Sequence, residues 1–155
     1  MKRYGPLIAV PNALAVGDPG RNHVRLTPDV VILRDGAESR GMVAWEELEA
    51  IVLDVPTTRF RLPGLVGTVA LGALTAIMLS DPGVDPEDGF VTLTVDGESL
   101  TLPLSRHHVG GYWAPTVTGA HRLLAHLIEN PGQRALLAHP EPLIDIAAQL
   151  ARGEA

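Results

Sequence analysis

The stretch LPGLVGTVALGALTAIMLS, Leu62 to Ser80, holds nineteen residues without a charge, and whether it crosses a membrane decides what the rest of the chain can build. An uncharged run of eighteen or more residues qualifies as a spanning candidate. The eight strongly apolar side chains beyond Pro63 (Leu65, Val66, Val69, Leu71, Leu74, Ile77, Met78 and Leu79) favour insertion by roughly 2 to 5 kcal/mol, opposed by three glycines, two threonines and Pro63. The flanks, Arg59 and Arg61 before and Asp81, Asp85, Glu87 and Asp88 after, would suit a single span with its N-terminal side inside. Topology argues the other way. A span would leave the preceding and following strands on opposite sides of the bilayer, each a small sheet with unpaired edges. Inserted instead as a helix over about 65–79, the segment lets both sets of strands join one sheet. The expectation is a buried or interfacial helix in a cytoplasmic protein, with a membrane-anchored module spanning 62–80 as the alternative.

On such a helix Thr68, Gly72 and Ala76 fall at spacing four, a stripe of small residues that admits a close neighbour. Apolar residues go nearly all round it, so one sheet cannot cover it. A two-fold contact through Thr68, Leu71, Gly72 and Ala76 would bury the remainder and make a homodimer.

The 155 residues fit a single domain, 1–155, large enough to bury a core without staples. With no cysteine there is neither a disulfide framework nor a thiolate zinc site. The net charge of −6, with arginines scattered singly, lacks the basic footprint of a nucleic-acid binder or an anionic-lipid binder. Eleven of the twelve basic residues are Arg, which reads as high-GC coding of the actinobacterial kind. The opening MKRYGPLIAVPNALAVGDPGRN begins basic, but Pro6 and Pro11 break its apolar run too early for a convincing secretory signal, although Ala13 and Ala15 would supply small residues.

Hydrophobic periodicity places strands over 23–34, where Val24 and Leu26 alternate with polar neighbours, Thr27-Pro28-Asp29 turns the chain and Val30 to Leu33 resumes it. Asp35-Gly36 turns again. In VAWEELEAIVLDV, Val43 to Trp45 ends a strand, Glu46 to Glu49 makes a brief helical segment, and Ala50 to Val55 forms a strand stopped by Pro56. After the uncharged segment, GFVTLTVDGESLTLPL is a hairpin about Asp96-Gly97, with Val91, Leu93 and Val95 on one face and Leu100, Leu102 and Leu104 in step. From Thr116 the period becomes helical through Val117, Leu123, Leu124, Leu127 and Ile128, with Thr116 or Thr118 as cap and Asn130-Pro131 as stop. Shorter helical pieces follow at Gln133 to Leu137 and Pro142 to Leu150.

Strands, a closing hairpin and one amphipathic helix, together with the turn RDGAESRG leading into the Trp-containing step from Met42 to Ile51, resemble pleckstrin-homology-like domains. The resemblance covers about 23–62 and 89–130 and implies an α+β fold: a bent antiparallel sheet capped by the helix of Thr116 to Glu129. The uncharged insert and the helical tail 131–152 depart from that pattern. It also implies a non-catalytic binding or scaffolding role through a protein partner or self-association. Lipid-binding members carry a basic cluster in the first hairpin, whereas Arg21, Arg25 and Arg34 stand among apolar and acidic neighbours, so headgroup recognition is not carried over.

The segment SRHHVGGYWAPT concentrates the unusual side chains, and Arg106, His107, His108, Tyr112 and Trp113 are the candidate binding residues. Adjacent His107 and His108 point to opposite faces of an extended chain, and His121 and His126 sit five apart rather than four, so no histidine pair has metal spacing. Gly110-Gly111 before two aromatics reads most simply as a sharp turn whose Trp anchors the next helix. The acids of DPGVDPEDG, Asp81 to Gly89, lack the alternation of a calcium loop. No nucleophile motif and no phosphate-cradling loop is present, so no catalytic residue, cofactor or metal is assigned. The alternative of a small enzyme would require Arg106, His107 or His108 to meet carboxylates from Asp81 to Asp88.

Overall fold

In the computed structural model, which describes residues 2–58, 89–106 and 111–153, the chain is α+β and its antiparallel strands bend into two sheets. The expected helix 65–79 with Thr68, Leu71, Gly72 and Ala76, the acidic loop 81–88, and His107 and His108 lie outside the described residues. Six strands make the first sheet as a plain meander: β1 (Arg3–Tyr4), β2 (Leu7–Val10), β3 (Ala13–Gly17), β4 (Asn22–Leu26), β5 (Val30–Asp35) and β6 (Glu38–Ala44). A 3-10 turn at Trp45–Glu47 leads into β7 (Leu48–Asp54), which pairs with β9 (Gly89–Val95), itself paired with β10 (Glu98–Leu104). A separate two-stranded pair has β8 (Thr57–Thr58) parallel to β11 (Tyr112–Trp113). Helix α1 (Ala114–Glu129), a 3-10 stretch (Pro131–Ala138) and helix α2 (Glu141–Ala151) complete the chain. No described helix is long and apolar enough to cross a membrane.

The hairpin β9–β10 turns at Asp96-Gly97, both with positive φ (51° and 80°), the left-handed geometry that matches strand twist and that an Asp-Gly pair tolerates. At the other end of the chain the sheet starts about twenty residues earlier than periodicity places it. Pro11 and Asn12, the latter at φ 62°, are the turn between β2 and β3, so the proline that breaks a signal-like run is the punctuation of a hairpin. Every residue of LIAV and ALAVG is buried, and a strand covered on both faces shows no alternation to read.

One cluster joins the inner faces of both sheets to the helices: Leu7, Leu14, Val24, Leu33, Leu53 and Leu93 meet Leu123, Leu124, Leu127 and Leu143. Helix α1 begins two residues earlier than expected, with Trp113 as N-cap and Pro115 in the first turn, where a missing N–H costs nothing. Thr116 does not cap; its hydroxyl donates to the Trp113 carbonyl at 2.6 Å. The other end is closed by tertiary structure. The buried Arg134 donates from Nε to the Leu127 carbonyl and from Nη2 to that of Ile128, both at 2.9 Å, while Asn130 Nδ2 serves the His126 carbonyl at 2.8 Å. Orphan carbonyls and the negative end of the helix dipole are thereby met by a cation. The same guanidinium lies 4.8 Å from the centre of the Trp45 ring, linking the corner between the two sheets to the end of α1.

The free edge of β7 is closed by α1 through His121. Its Nε2 accepts the Leu53 N–H at 2.8 Å, which requires a lone pair there and therefore a neutral ring, and burial pushes its pKa below the usual 6.5. A histidine that resists protonation when folded contributes stability that is complete above the unfolded pKa and declines as pH falls below about 6.5. Burial lowers His23 in the same direction. Urea unfolding between pH 7.5 and 5.5 should show stability decreasing with acidity, and His121→Gln, whose carbonyl accepts the same N–H at any pH, should flatten the decline. An identical slope in wild type and variant would remove His121 from that account.

Candidate binding cleft

A cleft lies between the two sheets where β4 begins and β5 finishes. Three hydrogen bonds fix that end: Asp18 N–H to the Ser105 carbonyl and Ser105 N–H to the Asn22 carbonyl, each 2.9 Å, with Asn22 N–H reaching Ser105 Oγ at 3.3 Å. Beside this tie the ladder between β5 and β6 slips. Leu33 faces Gly41 and Arg34 faces Ser39, so Arg40 is the extra residue of a bulge, a device that re-aims a side chain. Its guanidinium turns to Asp35, Nη2 to Oδ2 at 3.0 Å.

The result is a cavity of about 220 Å³ between the sheets. Register decides which side chains face it. Asn22 pairs with Asp35 and Val24 with Leu33 on the core side, while His23 pairs with Arg34 on the opposite face. Val24, Leu33, Val91 and Leu102 form an apolar floor, and Asn22, Asp35, Arg40 and Pro103, with His23 and Arg34 alongside, make up the rest of the lining. The Asp35–Arg40 pair is solvated and worth at most about 1 kcal/mol, so an incoming group can exchange it cheaply. Small-molecule sites commonly start near 300 Å³, so this cleft suits one side chain better than a whole cofactor.

Neither a protein-family model nor a curated protein nor a solved structure matches the chain.

The candidates singled out in SRHHVGGYWAPT lie elsewhere. Arg106 is 4% exposed and Tyr112 is buried, its N–H donating to the Pro56 carbonyl at 2.8 Å, and Trp113 is half-buried at the start of α1. None of the three lines the cleft. Gly111 explains part of this placement, because a Cβ there would fall 2.9 to 3.0 Å from the backbone of Pro56 and Thr57. The segment's glycine thus lets β11 lie against the chain entering β8. His23 is a buried histidine on the outer face whose Nδ1 stands 2.9 Å from the Arg21 carbonyl; a carbonyl only accepts, so Nδ1 carries the proton. Among the described residues no three of His, Asp and Glu stand close enough together to hold a metal ion.

Asn22, Asp35 and Arg40 were not singled out by sequence. The available signal was RDGAESRG, in which an arginine and a glycine end a turn, but its bulge depends on pairing with β5.

Proposed function

We propose that the protein is a non-catalytic binding module of pleckstrin-homology-like build, acting through protein contacts, and that the cleft receives one apolar anchor side chain of the partner. The observation that carries this reading is the aliphatic floor of Val24, Leu33, Val91 and Leu102 beneath a rim holding the Asp35–Arg40 ion pair. An anchor in a small apolar pocket, flanked by polar groups that fix its orientation, is the usual architecture of a protein contact's energetic centre. The order of a meander, a corner at Trp45, a second small sheet and a closing helix supports the pleckstrin-homology-like comparison.

The test is a random peptide library panned on the immobilised protein. The expected binders share a Leu, Ile or Met anchor, and Leu102→Trp, which fills the cleft from its half-buried wall, weakens them at least about tenfold, or 1.4 kcal/mol. Circular dichroism of the variant should match wild type. Absence of binders, or binders indifferent to Leu102→Trp, would reject the cleft as the contact site.

A further inference from the structure

An edge strand keeps a row of backbone groups that can still pair, and the smaller sheet has one such edge left open. The β7 edge is met by His121 of α1, whereas β10 pairs only with β9. Register tells which backbone groups of β10 are already used. The two-residue turn at Asp96-Gly97 makes Val95 and Glu98 a hydrogen-bonded pair, and from there the pairs alternate. Leu93 with Leu100 and Val91 with Leu102 therefore exchange bonds, while Ser99, Thr101 and Pro103 turn their backbone groups away from β9. The hydroxyls of Thr92 and Thr101 agree, meeting at 3.0 Å as side chains do across the closer, non-hydrogen-bonded pairs. Pro103, which has no N–H, stands where the ladder needs none. Among the described residues no other backbone bond reaches Ser99, Thr101 or Pro103, and all three are exposed. At every second residue this edge thus presents a carbonyl, and at Ser99 and Thr101 an N–H as well.

The cleft opens on that edge. Leu102 and Pro103 point to opposite faces of β10, and a cavity lined by both lies along the side of the strand rather than over one face. Side chains directly opposite one another on paired strands share a face. On a strand added to β10, the residue opposite Leu102 would stand at the cleft, and the one two positions away would cover Leu100, which is 45% exposed. Charge narrows what that strand can be. Asp96 and Glu98 are exposed where β10 begins, which favours a basic residue at the Leu100 end. A second copy would instead set a chain of net charge −6 against its like.

We propose, resting on the cleft as the contact site, that the partner is an extended peptide segment which adds to β10 as an antiparallel strand. Its apolar anchor lies opposite Leu102, a second apolar residue two positions on lies opposite Leu100, and a Lys or Arg two positions further lies opposite Glu98. Antiparallel is the direction of both ladders in this sheet and the more stable pairing per residue. Main-chain bonds to Ser99, Thr101 and the Pro103 carbonyl supply affinity in such an addition, and the sites for alternate side chains supply specificity.

The probe is a peptide selected from the random library on wild-type protein, resynthesised with a fluorophore and followed by fluorescence anisotropy. Thr101→Pro deletes a donor that the β9 ladder does not use and should weaken the peptide at least about tenfold, whereas Thr101→Val, which keeps the N–H, should change affinity less than about twofold. N-methylation of the peptide, measured on unaltered protein, should show a period of two. Methylating the residues that pair with Ser99, Thr101 and Pro103 should cost at least about tenfold, and methylating the two apolar residues, whose N–H groups point away, less than about threefold. Where circular dichroism shows Thr101→Pro misfolded, the period alone decides. Binding that falls with Leu102→Trp but shows neither the Thr101→Pro loss nor the period keeps the cleft and overturns the added strand. Failure to select a peptide, or indifference to Leu102→Trp, overturns both. A wild type that is dimeric by light scattering but monomeric as Thr101→Pro would give the edge to a second copy and overturn the peptide.

Discussion

Trp45→Ala is expected to destabilise the protein by about 3 to 5 kcal/mol, among the largest losses any single side chain here can cause. The indole is 2% exposed at the corner between the sheets, and its Nε1 donates to the Thr27 carbonyl at 2.8 Å. Truncation leaves a cavity, strands that carbonyl, and removes the ring face beneath the Arg134 guanidinium. Arg134→Met should cost less, about 1.5 to 3 kcal/mol, through the unmet carbonyls of Leu127 and Ile128. Since the two side chains touch, the double variant should be less destabilised than the sum by at least about 0.5 kcal/mol. Urea unfolding of the four proteins measures the cycle; a Trp45→Ala loss below about 1 kcal/mol would show that the corner is not part of the cooperative core.

Gly119→Leu should cost about 3 kcal/mol or more. Glycine inside a helix is weaker than alanine by up to about 1 kcal/mol, so α1 tolerates Gly119 for packing rather than for propensity. A Cβ there would meet the Ala147 carbonyl oxygen at 2.6 Å, Tyr4 Cε1 at 2.9 Å and Ala151 Cβ at 3.0 Å. The tyrosine can rotate; the carbonyl belongs to α2 and moves only with the helix. Overpacking by methylenes typically costs 1 to 3 kcal/mol, and here it begins at the first carbon. Gly119→Ala should fall between, its clash partly offset by helix propensity. Thermal unfolding of both variants decides, and a melting temperature equal to or above wild type for Gly119→Leu would mean that α1 and α2 can separate without loss.

Sequence legibility followed the locality of the interactions involved. The β9–β10 hairpin and α1 could be read because each carries its own signal: an Asp-Gly turn between alternating residues, and a run of apolar residues at helical spacing. The β2–β3 hairpin could not, because burial on both faces erases alternation and the prolines around it suggest a break. The Arg134 cap was invisible for another reason. Nothing in PGQRALLA announces that its arginine folds back on carbonyls six and seven residues earlier under an indole from the far side of the chain. The cleft draws on five strands, one of them bulged, so its residues have no common pattern. By contrast SRHHVGGYWAPT drew attention through rare residue types, and the structure uses two of them, Arg106 and Tyr112, in the interior.

The pairing of β7 with β9 closes a loop over the whole of 59–88, whereas each pairing in the six-stranded meander joins neighbours along the chain. Closure entropy grows only with the logarithm of loop length, so doubling such a connection would cost roughly 0.6 kcal/mol. The ladder of the smaller sheet is thus nearly indifferent to how many residues lie between its first two strands.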